Sequence, residues 1–85
     1  MIKIKLIYFS RIREILGKSS EELSIKANTI RELIDELQSV GKEYSVLNGE
    51  NFRVCFAVDQ VLINDFDFSI SGATEVAFFP PMTGG

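Results

Sequence analysis

Between Thr29 and Gly41 the chain carries its clearest helical repeat, and most of what flanks it reads as short β-runs. Ile30, Leu33, Ile34 and Leu37 recur at i, i+3, i+4 and i+7, which gathers them on one face. Thr29 and Glu32 have capping-box spacing, and Gly41 supplies the stop. A chain of 85 residues buries only about 60–65% of its unfolded surface. One layer of helix on one sheet is therefore what it can support, with no room for a deep catalytic cleft beside the core.

Met1 to Phe9 alternates, with Ile2, Ile4, Leu6 and Tyr8 on one side and Lys3 and Lys5 on the other, as a half-buried strand does. The polar side turns apolar at Ile7 and Phe9. Ser10 is placed to cap a short helix whose Ile12, Ile15 and Leu16 share a face, and Gly17 suits its end. Leu23 and Ile25 within Glu21 to Lys26 mark a return strand. Beyond the main helix, Tyr44 to Leu47 reads as one further turn, ended at Asn48-Gly49. Arg53 to Val58 is β-rich and leads through a turn at Asp59-Gln60 into Val61 to Ile63. Asn64 to Ala73 reads as a loop anchored by Phe66 and Phe68, and Glu75 to Phe79 as the last strand.

The order β, β, α, β, β, β predicts an α+β fold: a small mixed sheet of about five strands with the main helix across one face. Residues 1–79 form one domain and residues 80–85 an extended tail. In such a layout the first and last strands lie side by side and parallel, so Phe9 and Phe79 finish at the same edge. If Val76 and Phe78 pack against the helix, Ala77 and Phe79 turn to the opposite face, where Ile7 and Phe9 also fall. Ile7, Phe9 and Phe79 are thus a candidate partner-binding patch, although single exposed hydrophobes are ordinary.

Several function classes lack their parts. The chain has no histidine and a single cysteine, Cys55, so the usual metal sites and hydrolytic triads cannot be assembled. No internal disulfide can form, which points to a reducing cytoplasm. Cys55 lies within Val54-Cys55-Phe56-Ala57-Val58 and reads as a half-buried, unreactive thiol. The net charge of −3 argues against nucleic acid as a partner, and no apolar stretch reaches the ~20 residues that cross a membrane. Charge is unevenly placed: Lys3, Lys5, Arg11, Arg13 and Lys18 crowd the start against Glu14, whereas only acids follow Arg53.

The sequence ends Pro80-Pro81-Met82-Thr83-Gly84-Gly85. The prolines fix their own φ and extend the residue before each, giving a stiff stalk that reaches roughly 18 Å on a polyproline path. Gly84 and Gly85 lack Cβ atoms, so the tail can enter a channel too narrow for side chains. A terminal carboxylate becomes an acyl donor once joined to AMP as a mixed anhydride. Taken alone, the two glycines are also what a frayed end looks like.

These pieces together resemble the small-subunit family of molybdopterin synthase, sulfur carriers with the ubiquitin-like β-grasp fold. The resemblance spans the chain. It is carried by Glu75-Val76-Ala77-Phe78-Phe79-Pro80-Pro81-Met82-Thr83-Gly84-Gly85 and by Phe9-Ser10-Arg11-Ile12-Arg13-Glu14-Ile15-Leu16-Gly17. Met82 departs from the small β-branched residue often found there, within the tail.

The resemblance implies that the Gly85 carboxylate is adenylated, at the expense of ATP, by an activating enzyme of the ubiquitin-activating type and then converted to a thiocarboxylate by a sulfur donor protein. Pro80, Pro81, Met82, Thr83 and Gly84 would insert into the large synthase subunit, within a heterotetramer, where sulfur passes to a pterin precursor of the molybdenum cofactor. Phe9, Arg13 and Phe79 fall where the family contacts its partners. Catalytic residues would belong to the large subunit, and the chain itself would bind no cofactor. The same activated end also serves a ubiquitin-like modifier conjugated through Gly85, or a carrier for another pathway such as thiamine synthesis. An interaction domain with an inert tail remains the third class.

Overall fold

The alternation of residues 2–8 is realised as the strand β1, Ile2–Tyr8, in the computed structural model of the chain. The structure describes residues 2–81; Met1 and the tail residues Met82, Thr83, Gly84 and Gly85 lie outside the described residues. After β1 come α1 (Ser10–Leu16), β2 (Ser20–Ile25), α2 (Ile30–Val40), a 3-10 helix (Lys42–Asn48), β3 (Cys55–Val58), β4 (Val61–Ile63) and β5 (Glu75–Phe79). The five strands make one sheet in the order β2-β1-β5-β3-β4. β1 and β5 run parallel, with Leu6 beside Val76 and Tyr8 beside Phe78, and the remaining neighbours are antiparallel.

Ile4, Leu6, Tyr8, Phe56, Val76 and Phe78 form the inner face of the sheet, and Ile30, Leu33, Ile34 and Leu37 of α2 cover it in one core. The ring of Phe78 lies between Tyr8, 6.2 Å away, and Phe56, 6.5 Å away. Burial of each such side chain contributes roughly 1.5–3 kcal/mol. The start of α2 is capped as its spacing predicts: Thr29 Oγ1 accepts from the Glu32 amide at 3.2 Å. The Glu32 carboxylate reaches back one residue further, to the Asn28 amide at 2.8 Å. Glu36 accepts from the amides of Lys26 and Ala27, which fixes the chain as it enters the helix.

Three local expectations change. Ser10 does not cap α1; Phe9, with extended backbone, holds the N-cap position without any side-chain cap, and Ser10 itself sits at φ 51°. Ile12 and Leu16 take the buried line of α1, while Ile15 is 43% exposed. The helix lies at the end of the sheet, so only a narrow strip of it meets the core. In the loop before β5 the anchor is Ile70, fully buried, rather than Phe68, which is exposed. A turn closed by Phe68 N–H on the Asp65 carbonyl rotates that ring outward, whereas Ile70 donates its N–H to Asn28 and packs beneath the start of α2.

The β3–β4 connection is the expected two-residue turn. Asp59 and Gln60 both have positive φ, 48° and 71°, which matches the twist of a hairpin. The Asp59 carboxylate also accepts from the amides of Thr74 and Glu75 and from the Thr74 hydroxyl, tying the hairpin to the first residue of β5. Those bonds, the hydroxyl first, hold its carboxyl below the usual range.

Candidate functional site

Each strand that sends one residue to α2 sends its neighbour to the face without a helix, and the register of the sheet decides which of these meet. Ile7 of β1 stands beside Ala77 of β5, Ala77 beside Ala57 of β3, and Ala57 beside Leu62 of β4. In the next row Phe79 stands beside Cys55. The middle of this surface is made of two alanines, so it is flat, and larger apolar groups stand at its margins. Ile7 and Phe79 are half-buried there, and Leu62 is 68% exposed. One row in the other direction, Lys5 lies between Glu22 and Glu75, so the apolar part ends in charge.

The candidate patch residues fall as follows. Ile7 and Phe79 share the open face. Phe9 lies just past the end of β1, 46% exposed, its N–H donating to the Phe78 carbonyl at 3.1 Å. That bond places Phe9 beside the end of β5, where Pro80 and Pro81 begin, both half-buried. Arg13 is exposed on α1, and its amide donates to the Phe9 carbonyl at 3.3 Å. The calls on Met82, Thr83, Gly84 and Gly85 fall outside the described residues. Leu62, Ala57 and Cys55 join the patch although alternation in β1 and β5 alone does not reveal them. The signal was present in the turn: a two-residue connection pairs Val58 with Val61, hence Ala57 with Leu62.

Behind Phe9, on the helix side of the sheet, is a compact polar cluster. Glu21 Oε2 accepts from the hydroxyls of Tyr8, at 2.7 Å, and Tyr44, at 2.6 Å. Lys18 Nζ donates to Glu21 Oε1 and to the Tyr44 hydroxyl, each at 3.1 Å. Burial pushes the Glu21 carboxyl upward, but the hydrogen bonds from Tyr44, Tyr8 and Lys18 outweigh it and hold it below the usual range. Burial first, and then Glu21, push both phenols up, and bonding to Tyr44 and Glu21 raises Lys18.

The pH dependence follows from these directions. A depressed Glu21 contributes stability that is present above its unfolded value of about 4.3 and lost as pH falls through the folded value. Raised phenols and a raised lysine contribute stability that is full below their unfolded values of about 10 and is lost as pH rises beyond them. Urea midpoints should therefore be flat for this cluster between those limits and fall on both sides. Tyr8→Phe should flatten the alkaline arm; an unchanged alkaline slope in that variant refutes the assignment.

A family model described as the ThiS family matches residues 6–85. The chain belongs to the ThiS family. Among curated relatives it is 33% identical over 82 residues to the molybdopterin synthase sulfur carrier subunit of Escherichia coli, covering 96% of this chain and 99% of the relative. It is likewise 33% identical to the subunit of that name from Mycobacterium tuberculosis, over the full length of both. Among solved structures, small archaeal modifier protein 1 from Haloferax volcanii superposes with a TM-score of 0.75 at 17% identity, over 99% of this chain and 100% of the other. A putative molybdopterin converting factor, subunit 1, from Pyrococcus furiosus gives 0.71 at 24% identity, over 96% and 100%. The fold of this ThiS-family chain is therefore the ubiquitin-like β-grasp. Among the described residues no helix is long and apolar enough to cross a membrane.

Proposed function

We propose that this chain is a sulfur carrier, the small subunit of a molybdopterin synthase. The observation that carries the reading is the end-to-end match, at one-third identity, to relatives bearing that name. The site geometry supports it: the parallel β1–β5 pair puts an apolar face, Phe9 and Arg13 around the point where the chain leaves the sheet towards Gly84 and Gly85.

In this reading the Gly85 carboxylate attacks the α-phosphorus of ATP in an activating enzyme, and pyrophosphate leaves. Hydrosulfide supplied by a donor protein then attacks the acyl carbon, the C–O bond to AMP breaks and AMP leaves, and loss of the sulfur proton gives a thiocarboxylate. The thiocarboxylate is ionised at neutral pH and nucleophilic, and two glycines leave it sterically open. Docked on the large subunit through Ile7, Phe9, Arg13, Leu62 and Phe79, with Pro80 to Gly84 threaded into that subunit, it delivers sulfur to a pterin precursor. Catalytic side chains belong to the partner, and ATP is consumed at the activating enzyme; the carrier holds no cofactor.

The test is the intact mass of protein isolated from its own cells. One oxygen replaced by sulfur at Gly85, together with copurification of a large synthase subunit, is the expected result. Chains found joined to lysines of other proteins would instead identify a modifier, and copurification of a thiazole-forming enzyme alone would move the carrier to thiamine synthesis. Cys55 stands beside Phe79 on the open face but takes no part in the transfer. Cys55→Ser should accept sulfur at Gly85 as the parent does; loss of acceptance in a folded variant would overturn that assignment.

A further inference from the structure

One carboxylate ties down both ends of the α1 segment. Tyr8 immediately precedes Phe9, and Lys18 immediately follows Gly17, which ends α1 in the left-handed conformation at φ 75°. Both side chains donate to Glu21. The third donor, Tyr44, lies on the 3-10 helix that packs against α1, and the Lys18 ammonium stands 5.5 Å from the centre of its ring. Tyr8 further stacks on Phe78, the residue before Phe79.

We propose that Glu21 is a positioning residue for partner docking, fixing where the α1 segment presents Phe9 and Arg13. The inference rests on the reading above that Phe9 and Arg13 meet a partner. The helix needs such support. Seven residues are too few to hold a helix by themselves, its entry lacks a side-chain cap, Ser10 sits at positive φ, and its buried residues are Ile12 and Leu16, with Arg11 standing over the Phe52 ring. With Glu21 in place, the ends of the segment are pinned from β1 and from the start of β2, and Phe9 and Arg13 are ordered before the partner arrives. Without it, that ordering has to be supplied at each docking event, which weakens binding.

The obvious variant is Glu21→Ala in the full chain, compared with Ile70→Val, which softens the core at the far loop. In Glu21→Ala, hydrogen-exchange protection of the α1 amides should fall about tenfold beyond any fall in the sheet, because buried phenols lose their acceptor. Affinity for the large synthase subunit of the same organism should fall by a similar factor, about tenfold beyond Ile70→Val. Glu21→Gln keeps an oxygen for the phenols and loses the Lys18 arm, as does Lys18→Met at a partly exposed side chain. These milder variants carry the test if the alanine does not fold. Each should weaken binding, and the double variant should be no worse than either single one. Protection lost evenly across the sheet, binding equal to that of Ile70→Val, or fully additive losses would each overturn the proposal. If the parent itself does not bind the large subunit, the functional reading fails instead, and the exchange profile alone decides whether Glu21 orders α1.

Discussion

Removing Gly85 leaves the circular dichroism spectrum and melting of the parent chain unchanged and abolishes acyl-adenylate formation. Among the described residues the last strand, β5, ends at Phe79 and the core runs from Ile4 to Phe78, so the fold is expected to survive the loss of Gly85. For activation the effect is severe. On a polyproline path, deleting one residue shortens the reach of the tail by about 3 Å. A displacement of even ~1 Å from the reacting position can cost about a hundredfold in rate. Replacing Gly84 or Gly85 by a bulky residue should act in the same way by blocking entry to the narrow channel. ATP–pyrophosphate exchange with the activating enzyme measures the loss directly, and normal exchange by the truncated chain would refute the role of the tail.

Leu62→Asp weakens binding to the large synthase subunit by roughly 2–4 kcal/mol, the range of an interface hot spot, and leaves stability within about 0.5 kcal/mol, as for other surface substitutions. The two effects separate because Leu62 is 68% exposed yet stands in the same row as Ile7, Ala77 and Ala57. A carboxylate there would be pressed against apolar groups and stripped of water on docking. Val61→Asp is the matched control: Val61 is almost as exposed, at 60%, but pairs with the buried Val58 and so belongs to the other side of the sheet. Titration calorimetry should show the Leu62 variant failing and the Val61 variant binding like the parent. Equal losses in both would mean that the open face is not the contact surface.

The parts of the fold that were legible in the sequence are those set by local rules. The stripe Ile30, Leu33, Ile34, Leu37 declared α2 and its buried face, and alternation in residues 2–8 and 75–79 declared the two central strands and, through them, Ile7 and Phe79. Asp59-Gln60 declared the hairpin. What stayed hidden depends on contacts between distant segments. Glu21 is separated from Tyr8 by 13 positions and from Tyr44 by 23, and no spacing rule links a carboxylate to phenols on a strand and a 3-10 helix. Leu62 lies within the run Val61 to Ile63, and cross-strand register is what places it beside Ala57. Ser10 fits the cap preference yet lost the position to Phe9, because the N–H of Phe9 bonds to the Phe78 carbonyl near the end of β5 and sets the chain direction there. Phe68 reads as an aromatic anchor, yet the turn at Asp65 leaves it exposed while Ile70 is fully buried.

The strand at the heart of the sheet, β5, is also the last of the five in chain order, and it separates β1 from β3. A nascent chain that has not yet released residues 75–79 from the ribosome has two unconnected halves: a β1–β2 ribbon and a β3–β4 hairpin, neither stable alone in water. Sheet closure is therefore a final, long-range event in biogenesis. Products that end before residue 75 lack the strand that joins the two halves, so they cannot complete the sheet.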